Sequence, residues 1–289
     1  MMGSSEDQGG KWGMGNGIGT VHIDTSIQIE RCKAPKKAKV VEESLKAFRF
    51  KSTSSYAKYE FKNAWLRDLA YLYIASQKVG RLEDLLGYIS DRLGAHPANR
   101  SRVSRCLQAV ERFLSQVPGS ISYEASLARV RSLLRNAILG AYPWWDSSIT
   151  HEYNGTGCVR AYEQPKELSG GKIDVSVPLC SRDNIKCTIQ RFFEQNKQHF
   201  IAIGLAIKEL GNNASEELRQ AKKIIEDAER NPEGLCDDGV CRRLGDVLIA
   251  VDGLNMDCFA ANNDKEWMLL ADVLGKELIN PVRDAKATN

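Results

Sequence analysis

No stretch of the 289 residues approaches the roughly 18 consecutive apolar residues that a membrane-spanning helix requires. The chain opens on glycine, serine and charged residues instead of a basic segment followed by an apolar core. A spanning helix and a secretory leader are therefore not expected, and the expected setting is cytoplasmic. An excess of one charge is also lacking. Against 40 Lys and Arg stand 37 Asp and Glu, a formal net charge of +3, too little to mark the whole molecule as a polyanion binder. The 8 cysteines are scattered, which in a chain of this length suits reduced thiols better than a disulfide framework. Cys180/Cys187 and Cys236/Cys241 are spaced more loosely than zinc knuckles, so buried free thiols are expected there in preference to zinc. Gly13, Gly15, Gly17 and Gly19 precede a strand, whereas a phosphate-cradling loop follows one, so residues 1–19 read as a flexible tail.

What is present is enough apolar material, 43% of residues, for a large core in one domain or two. Thr20 to Asp24 has the pattern of a strand ending in an acid, and Phe48 to Thr53 that of a second strand. Between them, helix is expected from Thr25-Ser26, past Pro35, to about Lys46. Ser54-Ser55 suits the cap of a long helix from Tyr56 to about Val79, with Trp65, Leu69, Leu72 and Tyr73 on its buried face and Glu60 near its start. From Arg81 to Gly140 three apolar stripes predict three helices whose other faces are rich in arginine. Ala141 to Gly171 loses periodicity and reads as a long loop, in which Trp144-Trp145 beside Pro143 are expected to pin the chain to the core instead of stacking on bases. Lys172 to Leu179 alternates like a strand, and Asp183 or Asn184 suits the cap of a helix through Phe192-Phe193. Helices follow to Leu210 and from Ala214 to Glu229, the latter ended by Asn231-Pro232. Asp246 opens an apolar helix over Val247 to Val251. Cys258 to Ala261 reads as a buried strand, Asp264 to Leu274 as a helix, and Glu277 to Ile279 as a last strand. Strands alternating with helices imply an α/β fold with a mostly parallel sheet covered on both faces.

In such sheets ligands sit outside the carboxyl ends of the strands. Asp24 and Asp264 fall at expected strand ends, and Glu60 and Asp246 at helix starts, so the four could meet at one edge. Carboxylates gathered that closely raise one another's pKa, and a divalent cation relieves the repulsion; oxygen-only ligands favour Mg2+ or Mn2+. Each acid also has a plainer reading, Asp246 and Asp264 as helix caps and Glu60 as a solvent-facing acid. Asp24 is harder to assign a passive role, because a charge ending a buried strand is costly without a partner. His22 shares its strand face and reads as structural, while Asp252 and Asp257 are the substitutes should one acid be misassigned. Between Arg31 and Lys51 lie eight Lys/Arg against two acids, and the last ninety residues are net acidic. That asymmetry suits metal-binding carboxylates working beside phosphate-binding cations, with ordinary solvated helix faces as the alternative.

Asp24-Thr25-Ser26 after an apolar strand, Glu60 in an early helix, Gly245-Asp246 ahead of an apolar run, and Asn262-Asn263-Asp264 leading to Trp267 together resemble the ordered acidic signature of the PIN-domain nucleases. The resemblance spans roughly residues 20–79 and 172–289. Asn262 stands where that family usually has Thr or Ser, and a helical insertion and loop at 80–171 exceeds its compact domain. It implies a PIN-like three-layer α/β/α fold with an inserted all-helical lobe, and metal-dependent endoribonuclease action on RNA. Asp24, Glu60, Asp246 and Asp264 would bind Mg2+ or Mn2+ and carry catalysis, with Thr25, Ser26 and Asn262 fixing the carboxylates. Lysines and arginines from Arg31 to Lys51 and from the lobe would hold the RNA backbone. A toxin-type member of the family would add a protein inhibitor of antitoxin kind, and a homodimer. Two other classes stay open: a non-catalytic PIN-like RNA-binding scaffold, and another metal-dependent phosphoesterase.

Overall fold

Thr20–Ile23 (β1) is the middle strand of a five-stranded sheet whose members are all parallel, because every connection between them crosses over through helices. The structure, a computed structural model, describes residues 19–33, 35–94, 100–116, 123–176 and 187–287, and within some helices, at Asp238 and Asp264 among others, only the backbone. β1 leads into α1 (Thr25–Arg31) and α2 (Pro35–Leu45). Next, β2 (Phe50–Ser54) leads into α3 (Ser55–Phe61), a π-helical turn over Lys62–Leu66, and α4 (Arg67–Gln77). Four more helices follow, α5 (Leu82–Gly94), α6 (Arg100–Leu114), α7 (Tyr123–Leu139) and α8 (Ala141–Ser148), and then β3 (His151–Tyr153), β4 (Lys166–Leu168) and β5 (Lys172–Asp174). The last third holds α9 (Ile189–Gln195), α10 (Lys197–Leu210), α11 (Glu216–Arg230), α12 (Asp238–Arg243), α13 (Gly245–Asp252), β6 (Cys258–Ala260), α14 (Asp264–Val273), β7 (Glu277–Ile279) and α15 (Pro281–Ala287).

The strand order is β3-β2-β1-β6-β7. The chain therefore leaves β1 toward one side of the sheet and returns much later on the other, which makes the carboxyl end of β1 the point where strand order switches and a crevice opens. By the two-residue period of a strand, Val21 and Ile23 face one layer, where they join Ile27, Val41, Leu45 and Ile279 in an apolar cluster. His22 faces the other layer, edge-on to Phe259 at 6.1–6.4 Å from its aromatic neighbours. That second layer is a larger cluster running from α3 through α13 and α14 and on into α4–α7, so the helical lobe shares its core with the helices beneath the sheet. α13 is apolar all round and buried from Val247 to Val251, as a helix enclosed on every side must be. Among the described residues no helix is long and apolar enough to cross a membrane.

Several expectations change. The stretch 141–171 is not one long loop: it holds α8, in which Trp145 is buried against Phe61, and β3, which pairs with β2 as the sheet's edge. His151-Glu152-Tyr153 has no apolar alternation to announce a strand; its pairing is made by the backbone. Conversely, the alternating stretch from Lys172 contributes only Lys172–Asp174, paired antiparallel with β4 in a separate two-stranded ribbon. A period of two reports which face a residue takes but not which strand it joins. Val177, Leu179, Asp183 and Asn184 lie outside the described residues, as does the chain before Gly19. The helix after Ser54 is interrupted by the π turn directly beyond Glu60, and the helix after Asp24 is divided, with Pro35 starting its second half, where its missing N–H costs nothing.

The arginines of the lobe are largely engaged within the fold. Buried Asp68 on α4 accepts from Arg102 Nε and Arg105 Nε at 2.7 Å each, which fastens α6 to α4. Arg112 donates to the carbonyls of Arg31 and Lys33, Arg131 to that of Ser76, and Arg135 pairs with Glu167.

Candidate metal centre

Asp24 follows the carboxyl end of β1 and caps α1: its Oδ2 accepts from Ser26 N at 2.9 Å and from Ser26 Oγ. Its Oδ1 is buried and meets no donor among the described residues. Glu60 comes from α3, one strand over, and is oriented by Thr25 Oγ1, which donates to Oε2 at 2.9 Å. Asp246 stands in the first turn of α13, whose preceding residue Leu244 makes no side-chain cap. The Asp246 carboxylate takes no hydrogen bond among the described residues, so it is not occupied in capping its own helix. Oxygens of Asp24, Glu60 and Asp246 all lie within 4.8 Å of one another.

Gly245 explains how Glu60 fits between. A Cβ at this position would fall on Glu60 Oε1, so the carboxylate occupies the volume a larger residue would take. Tyr56, one turn before Glu60 on α3, donates its hydroxyl to the Cys241 carbonyl at 2.8 Å and so ties α3 to the chain that enters α13.

Burial pushes all three carboxyl groups above their ordinary range. For Glu60 the shift is large, with the charges of Asp246 and Asp24 adding to desolvation and the Thr25 hydrogen bond opposing it. Desolvation raises Asp24 despite its bonds to Ser26. Asp246 is pushed up to about 8 by desolvation, then by Asp24, Glu266 and Glu217. Three acids in this state disfavour their own ionisation, and a cation reverses that preference.

Asn262 reaches the cluster through its backbone: its N–H donates to Ser26 Oγ at 3.0 Å, while its side chain turns to Glu30 Oε1 at 3.2 Å. Asp264 opens α14 beyond β6, and its side chain lies outside the described residues. On the same helix, Glu266 is buried and, with Glu217 of α11, Arg242 and Arg243, lines a cavity of about 210 Å3 that also holds Glu60 and Asp246. Sequence reasoning missed these four. Glu266 stands three residues after Asn263, where an acid is expected simply to favour a helix start, and the two arginines end a short helix that no apolar periodicity announces.

The substitutes do not join the cluster. Asp257 accepts from Thr20 N and Oγ1 at the far end of β1. Asp252, at the other end of α13, accepts from Ser54 Oγ at 2.6 Å and Gly155 N at 3.2 Å. His22 bonds Ser52 Oγ at 2.9 Å, and burial lowers its pKa to about 3, which keeps the ring neutral and structural. Of the cysteines weighed for zinc, Cys180 lies outside the described residues; Cys187, Cys236 and Cys241 line a small cavity with Cys158 and Arg160. Among the described residues the carboxylate trio is the one group spaced to share an ion.

No family model, curated protein or solved structure matches this chain.

Proposed function

We propose that the chain is a metal-dependent endoribonuclease of PIN-like fold, hydrolysing RNA phosphodiester bonds at the edge of its parallel sheet. The observation that carries this reading is the meeting of Asp24, Glu60 and Asp246 from three separate elements within 4.8 Å, with a buried Asp24 oxygen that meets no partner among the described residues. The trio fits a hard divalent cation. Opposite ligands of an octahedral Mg2+ stand about 4.2 Å apart, so only small side-chain rotations separate the observed spacing from coordination. Oxygen-only donors select Mg2+ or Mn2+ over softer ions. When bound, such a cation supplies Lewis acidity and a more acidic water.

The chain's own residues do the positioning. Ser26 holds one oxygen of Asp24, and the other would be free to bind the cation. Thr25 presents Glu60, Gly245 leaves room for it, and the Asn262 N–H holds Ser26 in turn. Donors of this kind typically govern metal affinity by one or two orders of magnitude.

Purified protein incubated with mixed single-stranded and structured RNAs tests the reading, with Mn2+ or EDTA, beside Asp24→Asn and with a small phosphodiester as a parallel substrate. The expected result is RNA cleavage that needs Mn2+ and is lost in Asp24→Asn. Cleavage indifferent to both, or turnover of the small ester with none of RNA, rejects it.

A further inference from the structure

The cavity beside the carboxylates is lined by charges of both signs. Glu60, Asp246, Glu266 and Glu217 share it with Arg242 and Arg243. Both arginines are exposed, and neither has an ion pair or side-chain hydrogen bond among the described residues, although four acids share their cavity. Several other arginines are engaged within the fold: Arg31, Arg102, Arg105 and Arg135 each meet a carboxylate, and Arg112 and Arg131 meet carbonyls. Exposed Arg100 and Arg129 share the unpaired state of Arg242 and Arg243 among the described residues but line no cavity with these acids. The backbone that carries the pair is anchored: the Cys241 carbonyl, immediately before Arg242, accepts from the hydroxyl of Tyr56 on the helix that carries Glu60. Arg243 precedes Asp246 by only three residues, which keeps both cations close to that acid in the chain.

Resting on the metal-dependent nuclease reading, we propose that Arg242 and Arg243 clasp the non-bridging oxygens of the phosphodiester presented to the carboxylates. The RNA backbone then enters over α12 and not over the arginine-rich lobe. A cation on the trio offsets these acids and makes the cavity receptive to an anion, and guanidinium forks match phosphate oxygens two bonds at a time. The cavity lining contains no aromatic side chain, so this seat grips backbone without stacking on bases and carries little sequence preference.

The test measures binding of a labelled 12-nucleotide single-stranded RNA to the full chain across a salt series, with Ca2+ replacing Mn2+ to suppress turnover. Three proteins are compared: wild type, Arg242→Gln/Arg243→Gln, and a charge-matched lobe control, Arg100→Gln/Arg129→Gln, in which both positions are exposed. Titration with Mn2+ alone is run on each. The α12 double variant is expected to lower the slope of log K against log salt by about 0.7, the value for one neutralised phosphate on a single strand. It should weaken binding at least tenfold at low salt and leave Mn2+ affinity within about threefold of wild type, while the lobe control stays within twofold throughout. A wild-type slope in the α12 variant, with Mn2+ and RNA both bound, overturns the phosphate seat and leaves the nuclease reading standing. Wild type that binds neither Mn2+ nor RNA overturns both.

Discussion

Replacing Asp24 by Asn separates a metal centre from a merely buried acidic cluster, because only a metal centre makes the sign of the stability change depend on Mn2+. Each like-charged pair at up to 4.8 Å costs roughly 3 to 4 kcal/mol at an effective dielectric near 20, and raised pKa values let the cluster escape part of that by holding protons. Removing one charge should therefore stabilise the metal-free protein by about 2 kcal/mol, or roughly 3 °C in Tm for a chain of 289 residues. The cap on α1 survives, since Asn accepts from Ser26 N as Asp does and the two are equivalent caps. With Mn2+ at about 100 times its Kd, wild type should gain ~2.7 kcal/mol, whereas Asp24→Asn, deprived of a ligand, should gain little. Differential scanning fluorimetry in EDTA and in Mn2+ reads both, and the expected pattern is a crossing: the variant melts higher in EDTA and lower in Mn2+. If Asp24→Asn melts below wild type in EDTA and both rise equally with Mn2+, then Asp24 stabilises the fold by itself and the trio is not a metal site.

Gly245→Ala places a methyl on Glu60 Oε1 within a helix. Because alanine is the better helix former by up to ~1 kcal/mol and Glu60 is free to swing aside, thermal stability in EDTA should hold or rise while Mn2+ affinity falls at least tenfold; unchanged affinity by calorimetric titration would show that the close approach is immaterial. Asp252 gives the pH dependence: burial lifts its pKa from 3.8 to about 6 against the hydrogen bonds of Ser54 and Gly155. A carboxyl raised in the folded state binds its proton more tightly there than in the unfolded chain, so the stability it contributes is complete below pH 4 and declines as pH rises toward 6, by roughly 3 kcal/mol. Asp252→Asn should therefore match wild type at pH 4 and exceed it by up to that amount above pH 6 in urea unfolding with EDTA, and parallel curves would refute the assignment.

The residues legible in advance were those whose role is local. Asp24 could be placed because an apolar strand of four residues ends on it, and Glu60 and Asp246 because helix starts leave characteristic spacings. What could not be read was anything set by the approach of distant segments. β3 is made by backbone pairing alone, with side chains that mark nothing. The value of Gly245 lies in a carboxylate nearly two hundred residues away in the chain. Glu266 and Glu217 face Asp246 only because α14 and α11 flank α13 across the cavity. Charge composition does not say which cations are already engaged: Arg102, Arg105, Arg112, Arg131 and Arg135 of the arginine-rich stretch fasten helices, and the two that share a cavity with the acids lie in the acidic third of the chain.

The local supply of cations bears on why the acids are there at all. Lys58 and Lys62 flank Glu60 on either side and are both buried, and burying an ammonium is costly unless it is paired. Either could have neutralised the trio, and an ion pair is the ordinary way to keep a buried carboxylate. Instead Lys58 reaches Asp146 and Glu152 at 2.8 and 3.2 Å, and Lys62 reaches the Glu163 carbonyl at 2.6 Å. Buried Arg160 bonds the Cys241 sulfur and lies over the Tyr59 ring. The nearest donors to the trio are hydroxyls and an amide, from Thr25, Ser26 and the backbone, which orient a carboxylate without cancelling its charge. A fold that keeps its buried lysines turned away from its most crowded acids leaves their charge to be met by protons, by the exposed arginines of the same cavity, or by a cation from solution.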